Sequence, residues 1–383
     1  MQALLNSWSA PNKRITEFDG LRALAVILVF LNHFAPVRSV PWLNCVRQVG
    51  WVGVDIFFVL SGFLITGILL ENRSEKIGYY KNFYMRRSLR TFPLYYGLLT
   101  VVLLVMSISK GGKELTKMMV EWGNPVWLYV YFGNVKTAIL NVSPPSYFIP
   151  LWSLHVEEQF YLIFPFLVRR LNIRQLQNVL IGGILVAPLI RFGLFALFPE
   201  RPLLQYMLLP CRMDALAFGA LIVTSSANAL LRPRLKVGMF LVTFGILCLA
   251  YQTFWWAGGT FDTPIERTAG YSLFDLSFAG CLILVLNFRG CRGTAWLNWK
   301  PLQFIGMISY GIYLFQLPSA ALVNKVLRTT NFGGIESDTT SYALCVAATC
   351  IGLATISWYL WEIKWLRLKS RFVGVSVDPT RIK

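Results

Sequence analysis

Ten apolar runs, each close to the ~20 residues that cross a bilayer as a helix, decide the architecture open to this chain. They read Phe18 to Pro36, Trp51 to Leu70, Thr91 to Ser109, Pro150 to Val168, Val179 to Phe198, Tyr206 to Ser225, Val237 to Trp256, Gly270 to Asn287, Leu302 to Val323 and Ser341 to Trp361. In hydrocarbon a helix satisfies its own backbone, so runs of this length predict helices. The expectation is an all-α, polytopic membrane protein with about ten transmembrane helices, built as one integral membrane domain over residues 1–383. Composition agrees, since 56% of residues are hydrophobic and only 14% charged.

Charge sets the orientation. The excess of 36 Lys plus Arg over 18 Asp plus Glu points to cytoplasmic loops and anionic lipid headgroups, with no nucleic-acid partner expected. A weaker apolar stretch, Pro125 to Leu140, contains Asn134 and Lys136 and is followed by Pro144 and Pro145. If it does not cross, 23 of the 36 basic residues fall in cytoplasmic segments, 10 outside and three within helices, and every basic loop lies inside. If it crosses, all later loops invert and the positive-inside rule fails. Both termini are therefore expected in the cytoplasm, with Gly111 to Ile149 an external, partly re-entrant segment between the third and fourth helices. The first seventeen residues are polar with no cleavable apolar core, so the N-terminus is expected to be retained. Seven cysteines without CxxC spacing exclude a disulfide framework or a zinc ribbon, and no metal is expected.

Ionisable residues inside the spans mark the chemistry, because each costs at least ~2.5–3.5 kcal/mol to insert. Arg22 and His33 are eleven residues apart on the first helix, close to three turns, so they share a face about 16 Å apart along the axis. Taken singly, Arg22 is a candidate for snorkelling and His33 for a satisfied core histidine. The chain has only two histidines, however, His33 and His155, and both sit in spans among acids. Asp55 enters the second helix at much the depth of His33, where it can orient a histidine base or answer the helix dipole. The fourth helix opens Trp152-Ser153-Leu154-His155-Val156-Glu157-Glu158, with His155 and Glu158 on one face and Glu157 on another. Arg191, Arg212 and Asp214, also within spans, can supply countercharges or form structural ion pairs. Ahead of the third run, Arg86, Arg87 and Arg90 form a basic cluster, with Arg87 and Arg90 forked at i and i+3. Such a cluster is either a positive-inside anchor or a clamp for phosphates, which guanidinium matches in bidentate fashion.

Six blocks carry a resemblance: Asp19-Gly20-Leu21-Arg22-Ala23 with His33; Gly53-Val54-Asp55 through Ser61-Gly62 to Ile65; the stretch from Phe83 to Tyr96; Trp152-Ser153-Leu154 with Glu157 to Tyr161; Arg212-Met213-Asp214; and Ile308 to Leu314. In this order, from about residue 15 to 360, they resemble the acyltransferase-3 family, bacterial inner-membrane O-acyltransferases of surface sugars. The resemblance implies ten spans, a cytoplasmic acyl-CoA donor, with acetyl-CoA expected, and an extracytoplasmic sugar or glycolipid acceptor. It implies that His33 is essential and that Arg22, Arg87 and Arg90 handle the donor. Two positions depart from the family pattern: Gln316 stands where many members have a histidine, and His155 where a small residue is usual. The chain also lacks the C-terminal SGNH hydrolase domain fused to some members, so it is expected to complete transfer by itself.

Residues and resemblance together lead us to expect an acyl-CoA-dependent O-acyltransferase. His33 is the expected base, oriented by Asp55, Glu157 or Glu158. Arg22, Arg86, Arg87 and Arg90 are expected at the donor, and Trp152, His155, Arg191, Arg212 and Asp214 on the substrate side. A direct transfer and an acyl-histidine intermediate are both open. Two other classes fit intramembrane charges: a secondary transporter, against which stands the lack of paired Gly/Pro-broken helices in matching halves, and a non-catalytic component of a polysaccharide assembly complex.

Overall fold

The computed structural model describes residues 15–75, 77–226, 236–245, 266–329 and 336–372. The described residues fold as helices throughout: α1 Thr16–Phe34, α2 Leu43–Val49, α3 Val52–Glu71, α4 Tyr79–Ile108, α5 Lys113–Glu121, α6 Gly133–Leu140, α7 Leu151–Arg170, α8 Ile173–Leu197, α9 Pro202–Met207, α10 Leu209–Ser226, α11 Lys236–Gly245, α12 Tyr271–Asn287, α13 Lys300–Met307, α14 Ser309–Thr329 and α15 Thr340–Ser357, with short single-turn pieces between them. Among them six helical stretches are long and apolar enough to cross a membrane, and seven if the α13–α14 pair, bent by 72°, counts as one span. This is fewer than the ten expected. The difference has a physical source. Helices α1 and α7 have bilayer length at 19 and 20 residues, but α1 carries Glu17, Asp19 and Arg22, and α7 carries Glu157, Glu158, Arg169 and Arg170. The expected seventh helix, Val237 to Trp256, is described only through α11. Its remainder, the loop with Arg232 and Arg234, and both chain ends lie outside the described residues.

Helix α3 is the hub. It packs against α1, α7, α10 and α12, while α1 packs on α13 and α14 on α15. The α3–α10 crossing is close because Gly62 and Gly219 face one another's helix: a Cβ on Gly62 would overlap the Leu216 carbonyl, and one on Gly219 the Val59 carbonyl. Small residues of this kind let helix backbones approach in membranes, where apolar burial alone gives little drive. The core between these helices runs from Phe18 and Val26 through Phe58, Ile65 and Phe164 to Ile312 and Ala354. Outward, large apolar side chains such as Leu162, Leu189 and Leu344 are exposed, as lipid-facing positions must be.

Three boundaries differ from the expectation. Helix α4 begins at Tyr79 rather than Thr91 and runs unbroken for 30 residues through Pro93, about 45 Å. The arginine cluster therefore sits on the spanning helix itself. The 206–225 run breaks at Leu208, whose ψ of 139° is extended. Pro210 cannot donate to the Tyr206 carbonyl, and the Asn134 amide supplies a bond to the freed Met207 carbonyl at 2.9 Å. The 302–323 run bends at Ile308.

Within residues 111–149 the longest helix has nine residues, ~14 Å, and cannot cross. The segment instead builds a second core, with Met118, Trp122, Leu128 and Tyr131 packed on Tyr95 and Leu99 of α4 and Leu151 of α7. Lys136 lies over the rings of Trp122 and Trp127, at 4.9 and 5.6 Å.

Candidate active site

A cavity opens where α1, α3, α4, α7 and α14 meet. Each helix contributes one face: Val54, Phe57, Phe58, Ser61, Leu64 and Ile65 from α3; Arg87, Arg90 and Thr91 from α4; Ser153, Leu154 and Glu157 from α7; Ser309, Tyr310 and Tyr313 from α14; Arg22 from α1. Spacings of three and four residues place these groups on single helical faces. The bend at Ile308 brings Ser309 and Tyr310 to the wall.

One end of the cavity is cationic. Arg22, Arg87 and Arg90 converge there from two helices far apart in sequence. Arg22 is held by Asp19 at 3.1 Å, and the Arg87 guanidinium lies 4.4 Å from the Tyr161 ring centroid, with Glu157 and Glu158 among its charge neighbours. Glu157 accepts a 2.6 Å bond from Ser61, and Glu158 a 3.1 Å bond from Thr91. Burying paired carboxylates beside arginines keeps the guanidinium planes in place. Arg86 lies one position off this face, on the wall of a second cavity that shares Arg87 with the first.

His33 does not line this cavity and is linked to its wall through α14. Tyr313, on the wall, exchanges a 2.6 Å bond with Ser153. One turn further along α14, Gln316 donates its amide N–H to the Tyr313 carbonyl at 3.1 Å. That bond fixes the amide orientation, so Oε1 faces His33 Nδ1, 3.1 Å away. An amide oxygen only accepts, hence Nδ1 carries the proton and Nε2 presents its lone pair. The Nε2 lone pair is thereby left to accept a proton. The orienting group is an amide and not one of the expected carboxylates. Asp55 is turned to Arg212 and fully buried with it, while Glu157 and Glu158 serve the arginine end.

The expected substrate-side residues lie off this cavity. His155 is buried in the second core, where its Nδ1 accepts from the Asn134 backbone N–H at 3.1 Å, so Nε2 donates to Tyr95 at 2.8 Å. Tyr95 in turn donates to the Leu128 carbonyl at 2.7 Å. Both ring nitrogens are used within the protein. Trp152 packs on Tyr206 and Phe58. Arg191 donates to Asp214 at 2.9 Å, to the Thr268 carbonyl at 2.6 Å, to Ser272 at 2.5 Å and to the Cys211 carbonyl. Arg212, paired with Asp55, stacks over Tyr271 at 4.5 Å. These ion pairs join α3, α8, α10 and α12, the structural alternative left open from sequence. Asp275, unremarked in the sequence reading, is buried beside them with Asp214, Arg212 and Arg191 as its charge neighbours.

Sequence reasoning missed Ser61, Thr91, Tyr310, Tyr313 and the role of Gln316. The first four are hydroxyl residues of ordinary spacing, with no signal beyond their position in the shared blocks. Gln316 was visible only as a departure from the family pattern.

Comparison with known proteins bears on what such a cavity does. The chain is 31% identical over 345 residues to the peptidoglycan O-acetyltransferase OatA of Listeria monocytogenes, covering 83% of this chain and 51% of that protein. It is 31% identical over 379 residues to the putative peptidoglycan O-acetyltransferase YrhL of Bacillus subtilis, covering 92% and 55%. It is 31% identical over 321 residues to the O-acetyltransferase OatA of Staphylococcus aureus, covering 80% and 51%. The chain thus spans about half the length of these curated relatives. No solved structure matches it. The acyltransferase domain model of the acyltransferase-3 family matches residues 15–361, and the chain belongs to that family.

Proposed function

We propose that this protein is a membrane O-acyltransferase that moves an acetyl group from acetyl-CoA on the cytoplasmic side to a hydroxyl of a surface glycan outside. The observation that carries the reading is one cavity lined by three arginines and by Tyr313, whose carbonyl holds the Gln316 amide that fixes the His33 tautomer. Acetyl as the group, and a peptidoglycan-like sugar as the acceptor, follow from the names of the relatives. In this reading α1, α7 and α11 join the seven apolar spans to make ten, both termini are cytoplasmic and residues 111–149 face outward. The protein belongs to the bacterial inner (cytoplasmic) membrane.

Arg22, Arg87 and Arg90 take the donor phosphates, and the pantetheine arm enters the cavity past Ser61 and Glu157. The acceptor hydroxyl approaches from the outer side. His33 Nε2 removes its proton as the oxygen attacks the thioester carbonyl. The tetrahedral adduct collapses, the C–S bond breaks and the CoA thiolate takes the proton back from the imidazolium. The products are the sugar ester and CoA. The test is transfer of radiolabel from acetyl-CoA to a base-labile ester on glycan strands by purified protein in nanodiscs. Wild-type protein should transfer label and His33→Ala should lose at least about a hundredfold, the usual size of a general-base contribution. An inert wild-type protein, or an active His33→Ala, would overturn the assignment.

A further inference from the structure

The wall of the arginine cavity carries six hydroxyl side chains, and five of them are engaged within the protein. Ser61 donates to Glu157, Thr91 to Glu158, Tyr310 to the Thr91 carbonyl and Tyr313 to the Pro150 carbonyl, while Ser153 is paired with Tyr313. Ser309 is the exception. Among the described residues its hydroxyl meets no hydrogen-bond partner, although the residue is only 4% exposed and lines the cavity. A buried donor of this kind is met by water or by a ligand. Its place in the fold narrows the choice. Ser309 opens α14, a 21-residue helix, so the positive end of the helix dipole lies beside it and favours an acceptor oxygen. Three residues earlier, Gly306 touches α1: a Cβ there would overlap the Asp19 carbonyl, which sets this end of α14 level with the acid that holds Arg22. Seven residues later, ~10 Å along the axis, Gln316 faces His33.

We propose that Ser309 binds the pantetheine arm of the acyl-CoA donor, by donating a hydrogen bond to the amide carbonyl nearest the phosphates. This deepens the donor reading given above and rests on it. With the phosphates on Arg22, Arg87 and Arg90, that carbonyl is the first along the arm. The remainder of the arm, from that carbonyl to the sulfur, is close to three peptide units long, or ~10 Å when extended. The rise from Ser309 to Gln316 is the same, so the contact sets the thioester at the depth of His33. Val54, Phe57 and Leu64 on the same wall suit the methyl and methylene groups of the arm, and the serine supplies the polar contact that fixes its register.

The test is binding of CoA, 4′-phosphopantetheine and ADP to the purified full chain in nanodiscs, together with the acetyl-CoA dependence of transfer. Ser309→Ala should weaken CoA and 4′-phosphopantetheine alike, about two- to tenfold for one neutral hydrogen bond. ADP, which has phosphates but no arm, should bind as tightly as before. KM for acetyl-CoA should rise by the same factor as the loss of CoA affinity. Ser309→Thr keeps a hydroxyl and should restore most of that affinity. Unchanged CoA affinity in Ser309→Ala would overturn the contact and leave the donor reading standing. An equal loss for ADP would mark a general disturbance of the arginine end and overturn it as well. A wild-type protein that binds no CoA would remove both readings.

Discussion

Replacing Gln316 by Leu tests the proton assignment on His33. Gln316 is 1% exposed, and leucine fills a similar volume without an acceptor. The variant removes the oxygen that faces Nδ1 and the N–H that serves the Tyr313 carbonyl. The imidazole is then free to exchange tautomers and to turn about its side-chain bonds. Displacing a catalytic group by about 1 Å costs up to ~100-fold, so kcat should fall about 10- to 100-fold, or ~1.4–2.7 kcal/mol of barrier. Unpaired buried groups should lower stability by ~1–3 kcal/mol, so rates must be normalised to folded protein. Two controls separate orientation from packing. Gln316→Glu keeps an acceptor for Nδ1–H and should recover most of the rate. In a His33→Ala background, Gln316→Leu should cost no further activity, because residues that act as one unit do not add. The assay is acetyl transfer from labelled acetyl-CoA in nanodiscs. Wild-type kcat in Gln316→Leu, or a full additional loss in the double variant, would refute the assignment.

Arg87→Lys with Arg90→Lys keeps the charge but removes the planar fork, so CoA binding measured by calorimetry should weaken about 10- to 100-fold; unchanged affinity would make the cluster a topological anchor. With Cys45 and Cys291 replaced by Ser, Lys113→Cys should react with an impermeant maleimide from outside and Lys300→Cys only from inside, and the reverse pattern would invert the proposed topology. Asp55→Asn removes the carboxylate paired with buried Arg212, leaving Asp275 as the nearby acid, and should lower stability by up to ~3–5 kcal/mol; thermal unfolding indistinguishable from wild type would show that the pair does not hold α3 to α10.

Spacing along one element was legible in the sequence, and contact between elements was not. The spans at Val52–Glu71 and Tyr271–Asn287 lie within one or two residues of the apolar runs, because the bilayer sets their length. Arg22 and Glu157 could be named as candidates because charges in hydrocarbon are costly wherever they point, and Arg87 and Arg90 because they form a forked basic pair. The early start of α4 was hidden because Tyr79 to Arg90 is amphipathic and dilutes the apolar signal. The break at Leu208 was hidden in a run that stays apolar across it. The pairing of His33 with Gln316 joins residues 283 positions apart, and no periodicity within either helix predicts it. Three carboxylates of suitable depth were available to orient His33, and the choice of a neutral amide depends on how α1 faces α14.

The shortfall in spans is informative in the same way. Counting helices by apolarity leaves out α1 and α7, the two that carry Arg22, His33 and Glu157. A helix that supplies charged groups to an intramembrane cavity loses apolar character in proportion to what it supplies, yet keeps its bilayer length. The insertion cost is offset only if those groups meet partners inside the bundle, and here they do: Arg22 with Asp19, Glu157 with Ser61, Glu158 with Thr91 and His33 with Gln316. Helices long enough to span but too charged to be counted therefore point to the interior site. In this chain the two that stand out by that criterion border the same cavity, together with α3, α4 and α14.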